Sequence, residues 1–125
     1  MTSSSEPKYD RKRFPAGELI LHEGDLGQRA YLVETGLVEI SRLRGDRRVV
    51  LGRVGPGGIF GELALIDGNA RVADAKAITE TVCLVVPGDV FREKLEKADP
   101  FIRAMLRIMA RNIRTLTDAA TESAR

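Results

Sequence analysis

The sequence predicts a mainly β domain with helices at its C-terminal end, and three observations carry that expectation. From Phe14 to about Val86, short apolar runs alternate with glycine-bearing turns. The 12 glycines and 5 prolines supply the tight reversals that many short strands require. After Pro87 the spacing of apolar residues changes from strand-like to helical. With 125 residues, 43% of them hydrophobic, there is room for one domain around one core.

Residues 1–13 are polar and charged and read as a loose arm or a short leader. The strand candidates follow: Leu19-Ile20-Leu21, Tyr31-Leu32-Val33, Leu37 to Ile40, Val49-Val50-Leu51, Ala75 to Ile78 and Val82 to Val86. Turn signals separate them at Ala16-Gly17, Glu23-Gly24-Asp25, Thr35-Gly36, Arg44-Gly45-Asp46 and Gly55-Pro56-Gly57-Gly58. That rhythm suggests an antiparallel sandwich or roll. The cluster of Arg42, Arg44, Arg47, Arg48 and Arg53 reads as a solvated hairpin.

Pro87-Gly88-Asp89 breaks the final strand, and Val90 to Lys97 reads as a short helix capped by Asp89. Asp99-Pro100 opens a second helix, Asp at the cap and Pro in the first turn. It runs through Phe101, Met105, Met109 and Ile113 and weakens among Ala119, Ala120 and Ser123. Ile102, Met105, Met109, Asn112, Leu116 and Ala119 alternate three- and four-residue steps, the seam of a two-helix contact with Asn112 as a polar interruption. A homodimer or another protein partner through this helix is the expectation, alongside packing of a neighbouring stripe on the roll.

Composition narrows the function. The net charge of +2 gives no overall field toward nucleic acid. Cys83, the only cysteine, allows no intrachain disulfide and reads as a buried structural thiol. His22 is the only histidine, so a multi-histidine metal site is ruled out and no metal or cofactor is expected. No Ser-His-Asp, Cys-His or paired-carboxylate arrangement is evident, so an enzyme is not expected. The N-terminus lacks the apolar stretch of a signal peptide, and no segment reaches the ~20 apolar residues of a membrane span. The expected location is the cytoplasm, without a membrane partner.

The chemically informative stretch is Phe60 to Ala73. Gly61-Glu62-Leu63-Ala64-Leu65-Ile66 is long enough for one or two helical turns, and a helix start offers unpaired N–H groups to an anion. Gly61 and Ala64 are small enough for a ligand to approach the backbone. Arg71, ten residues after Gly61, can fold back as a cation whose planar fork suits phosphate oxygens. Glu62 could accept a hydrogen bond from a sugar hydroxyl. These parts match a small sugar phosphate, although a plain Glu62–Arg71 surface ion pair is the simpler alternative.

Phe60 to Ala73 resembles the phosphate-binding cassette of the cyclic nucleotide-binding domain family, seen in cyclic-AMP-dependent kinase regulatory subunits, nucleotide-gated channels and catabolite activator proteins. The Gly-Glu-Leu-Ala-Leu core and its spacing to Arg71 agree without gaps. Phe14 to Ile20 with Glu23-Gly24-Asp25 is similar to the family's opening hairpin, and Tyr31-Leu32-Val33, Gly36 and Val38-Glu39-Ile40 to the next. The likeness runs from about Phe14 to Leu116. It implies a jelly-roll-like antiparallel β-roll over 14–87, a short cassette helix within 60–73, and C-terminal helices over 88–125 that include a long lid helix. It implies that Arg71 pairs with the cyclic phosphate, helped by the N–H groups of Ala64 and Val72. Glu62 and the N–H of Gly61 would hold the ribose 2′-hydroxyl, and Leu63, Leu65 and Ala73 belong to the same binding set. Asn112, Leu116 and Thr117 are the candidate lid contacts to the base, Thr117 either hydrogen-bonding it or merely solvated near the helix end.

Three departures from the family pattern stand out. Val72 lacks the hydroxyl that helps cyclic-GMP binders hold guanine, so cyclic AMP is the expected ligand ahead of cyclic GMP. Asp74 would add negative charge near the phosphate. Gln28 lies where some relatives carry an acidic partner for the arginine, which would leave Arg71 less firmly held. The expected function is that of a stand-alone regulatory receptor. Catabolite activators continue into a helix-turn-helix, and none follows Thr117. Direct DNA binding is therefore not expected, unless the chain is a fragment of such a regulator. The Met1-Thr2-Ser3 opening and Ala-rich end read as those of an intact small protein, and a degenerate, non-binding interaction module is the remaining alternative.

Overall fold

The computed structural model describes residues 9–123. Eight strands and three helices follow in the order β1 (Arg11–Phe14), β2 (Leu19–Leu21), β3 (Arg29–Thr35), β4 (Val38–Arg44), β5 (Arg47–Val54), β6 (Ile59–Phe60), α1 (Glu62–Asp67), β7 (Asp74–Ala77), β8 (Thr81–Pro87), α2 (Gly88–Lys97) and α3 (Pro100–Ser123). They form two four-stranded antiparallel sheets, β1-β8-β3-β6 and β2-β7-β4-β5. The mainly β roll with a short cassette helix and a long C-terminal helix is thus the fold observed.

Alternation along the strands builds the core between the sheets. Phe14, Tyr31, Val33, Phe60 and Cys83 come from one sheet and Val38, Ala75 and Ala77 from the other. Tyr31 stacks on Phe60 with ring centroids 5.2 Å apart and meets Phe14 edge-on at 5.8 Å, which fixes β6 and the entry to the cassette. Burial pushes the Cys83 thiol up to about 11. Gly45, at φ +65°, starts the two-residue turn between β4 and β5, where a hairpin favours glycine.

Several expectations change. Residues 1–8 of the polar arm lie outside the described residues, but Arg11, Lys12 and Arg13 are paired in β1 with Leu84, Cys83 and Val82. Helix α2 begins at Gly88 with Pro87 as its cap residue, so Asp89 sits in the first turn and accepts from the Val90 N–H. Asp99 behaves as expected, its Oδ1 accepting from the Phe101 N–H at 2.8 Å. The arginine cluster is not simply solvated: Arg42 is buried, Arg44 forks onto Glu23, and Arg48 pairs with Asp74.

Helix α3 turns Leu106, Ala110, Arg114, Thr117 and Thr121 toward the roll, a stripe of three- and four-residue steps. The six seam positions, Ile102 to Ala119, are all exposed on the adjacent stripe. No helix among the described residues is long and apolar enough to cross a membrane.

Candidate functional site

Gly61 turns the chain from β6 into α1. Its φ of +85° suits glycine, and a Cβ there would lie 2.8 Å from Arg71 Nη1. Helix α1 ends at Gly68, whose N–H donates to the Ala64 carbonyl. The chain then returns to Arg71, whose own N–H donates to the Asp25 carbonyl at 2.8 Å and whose carbonyl accepts from the Gly24 N–H. The β2–β3 loop therefore holds the backbone of Arg71 in place.

The Arg71 side chain is 7% exposed. Nη1 donates to the Gly61 carbonyl at 2.6 Å and Nη2 to the Arg29 carbonyl at 2.7 Å. Among the described residues it forms no ion pair with a carboxylate. A guanidinium has five N–H donors, so these two bonds leave three, Nε–H among them, for another acceptor. Burial lowers its pKa, with the charges of Tyr31, Asp25 and Glu62 acting against that shift. Gly27 makes room for the group, since a Cβ there would sit 2.7 Å from Arg71 Cζ and from Ala64 Cβ.

Glu62 is half-buried at the start of α1. Burial pushes its carboxyl pKa up, and a hydrogen bond from its own N–H and the charge of Arg71 only partly offset this. It is an acceptor held in an environment that disfavours its charge until a donor arrives.

Arg71 and Glu62 open into one cavity of about 180 Å³. That is far above the ~10–15 Å³ that a single water needs, so the space is no packing defect. Leu21, Ile40, Leu51, Val54 and Ala75 give it an apolar wall, and Ile113 and Thr117 of α3 close one side. Gly61, Glu62, Leu63, Ala64, Arg71, Val72 and Ala73 all line it, so most of the predicted set comes together. Leu65 does not: it is 2% exposed and packs away from the cavity. Of the lid candidates only Thr117 lines the wall, while Asn112 and Leu116 are exposed one helical face away. Ile113 takes their place, and its position one turn before Thr117 is the sequence signal that marks it.

The structure bears on two departures from the family pattern. Ala73 and Ala75 face the cavity, so alternation sends Asp74 to the opposite face of its sheet. There its carboxylate accepts from the Glu23 N–H at 2.7 Å and from Arg48 at 2.6 Å. Burial raises its pKa, but those two partners outweigh it and the net shift is downward. Gln28 is exposed, and Arg71 is held by carbonyls instead of an acidic side chain at that position.

A buried cation with donors to spare, a half-buried carboxylate and an apolar wall therefore share one cavity. Residues 11–98 match the model of the cyclic nucleotide-binding domain, and the chain belongs to that family. It is 32% identical over 107 residues to the cyclic AMP receptor protein of Thermus thermophilus, covering 85% of this chain and 50% of that protein. It is 37% identical over 94 residues to the cAMP-dependent protein kinase regulatory subunit of Emericella nidulans, covering 75% of this chain and 22% of that one. Among solved structures, the EAL enzyme Bd1971 in its cAMP-bound form superposes with a TM-score of 0.85 at 27% identity, over 91% of this chain and 30% of that one. The same enzyme has also been solved in a cGMP-bound form. The chain spans about half the length of the Thermus relative and less of the others.

Proposed function

We infer that the chain is a regulatory receptor for cyclic AMP, with cyclic GMP as the weaker ligand, and that it senses rather than catalyses. The observation that carries this reading is Arg71, buried yet bonded only to two carbonyls, with three N–H donors left at the cavity wall. A cyclic phosphate supplies the one negative charge this group lacks, and charge-assisted bonds formed out of water are the strong kind. Glu62 takes the ribose hydroxyl, and the apolar wall with Ile113 and Thr117 receives the base. Val72 contributes no hydroxyl to guanine, which favours adenine. The names of the Thermus receptor and the kinase subunit point to the same ligand.

Helix α3 is then a lid that responds to the base, and its exposed seam meets a second copy of the chain. Met105, Met109 and Leu116 are 41%, 52% and 67% exposed, too much apolar surface along one helix for it to lie in water undisturbed.

Calorimetric titration with cyclic AMP and cyclic GMP, repeated on Arg71→Ala, tests the reading. The expected result is micromolar or tighter binding of cyclic AMP, about −8 kcal/mol or better, abolished by the substitution. No heat with either nucleotide, from folded protein freed of carried-over ligand, would overturn it in favour of a non-binding interaction module.

A further inference from the structure

Two arginines grip the cassette on either side of Arg71. Arg114, in the middle of α3, forks onto Asp67 at the end of α1, with Nη2 2.9 Å from Oδ1 and Nε on Oδ2. Its Nη1 donates to the Ala70 carbonyl at 3.1 Å. Arg42, from β4, donates through Nε to the Val72 carbonyl at 2.7 Å. Its Nη1 reaches α3, donating to Asp118 at 2.8 Å and Thr121 at 3.3 Å. The carbonyls immediately before and after the phosphate arginine are thus each tied, through one guanidinium, to the lid helix.

These ties matter because little else holds the lid. The stripe of α3 that faces the roll is short of apolar bulk: Leu106 and Ala110 are followed by Arg114, Thr117 and Thr121. The large apolar side chains of the helix, Ile102, Met105, Met109 and Leu116, point outward. Hydrophobic burial against the roll is therefore small, and directional polar bonds must fix where α3 sits. The Arg114–Asp67 pair suits that task, because it is bidentate and its side chains are only 21% and 17% exposed. Asp118 is 67% exposed, so the ion pair with Arg42 adds little and the bonds to Val72 and Thr121 carry that second tie. The lid contacts are set by this arrangement, since Ile113 precedes Arg114 and Thr117 follows within one turn.

We propose that Arg114 with Asp67, and Arg42 with Val72 and Thr121, form a polar latch that positions the lid over the pocket and couples it to Arg71. Both arginines are positioning residues and touch no ligand themselves. The proposal rests on the cyclic-nucleotide reading for its purpose: when a phosphate draws on Arg71, the segment 70–72 moves with it, and the latch carries that movement to α3. A lid held over the pocket slows release, so loss of the latch is read first in the off-rate.

Hydrogen exchange of residues 110–121 in the free protein tests the latch independently of ligand. Arg114→Gln and Asp67→Asn should each raise exchange there by about tenfold, the loss of one half-buried charge-assisted pair. The double variant should go no further than Arg114→Gln alone, which gives up the bond to the Ala70 carbonyl as well as the pair with Asp67. With cyclic AMP bound, the same variants should speed release by a similar factor, and any change in the association rate should be an increase. Unchanged exchange in a folded Asp67→Asn or Arg114→Gln protein would overturn the latch. Should the wild-type chain bind no cyclic nucleotide, the receptor reading fails, and the exchange result still decides the latch on its own.

Discussion

Arg42 and Arg71 are equally buried, each 7% exposed, yet their surroundings are opposite in kind. Arg42 meets a carbonyl, a hydroxyl and the carboxylates of Asp118 and Glu23, the last at 3.8 Å. Arg71 meets two carbonyls and no carboxylate within ion-pair distance. Burial therefore does not separate these two arginines. The inventory of partners does: the charge of Arg42 is answered within the fold, and that of Arg71 is left for the anion proposed above.

The comparison can be broken or sharpened experimentally. After the loss of binding expected of Arg71→Ala, the largest effect should come from Gly27→Ala, which leaves every charged residue in place. Its methyl would displace the Arg71 guanidinium and cost one charge-assisted bond to the phosphate, about 1.5–3 kcal/mol. Cyclic AMP affinity should fall roughly ten- to hundredfold, measured by calorimetry; unchanged affinity would show that Arg71 does not set it.

A smaller effect, and one that acts on stability, should separate the two arginines directly. Arg42→Met strands the Val72 carbonyl, while the Thr121 hydroxyl keeps its bond to the Thr117 carbonyl, and should lower urea-unfolding stability by about 1–3 kcal/mol. Arg71→Met takes a donor from the Gly61 and Arg29 carbonyls but also removes a buried cation that has no counter-charge, so the two effects oppose each other and stability should change by less than about 1 kcal/mol. Equal losses would erase the distinction.

The smallest effect belongs to Glu62. Its folded pKa lies above the ordinary 4.5, so its ionised form destabilises the free protein. That cost is absent at low pH, appears as the pH rises through 4.5 toward the folded pKa, and is complete above it. Glu62→Gln should therefore melt slightly higher than the parent near pH 7 and alike below pH 4, while binding cyclic AMP more weakly. Differential scanning calorimetry across that range checks the sign.

Much of the fold was legible because each central strand carries its own apolar run, as in Tyr31-Leu32-Val33 and Val82 to Val86. Strand β1 was not, because Arg11, Lys12 and Arg13 are exposed and the strand is held by its pairing with β8. Strand β6 has only two residues, too few for any periodicity. At the site, the cassette is contiguous in sequence and could be read as a motif. The parts that were missed or misread depend on distant chain segments. Gly27 owes its importance to Arg71, Arg42 owes its burial to residues 76 and 79 positions away, and Asp74 was misread because its side of the sheet is fixed by strand register.

Cys83 has a practical corollary. The only thiol of the chain is fully enclosed, and its pKa of about 11 keeps it neutral under physiological conditions. Alkylating dyes attack thiolates, so the wild-type chain should stay dark to them. A cysteine placed at exposed Thr115 would be the one reactive handle, on the outward side of α3 between Ile113 and Thr117. On the proposed lid mechanism, a fluorophore there would turn the movement of α3 into an optical signal and make this small domain a scaffold for a nucleotide biosensor.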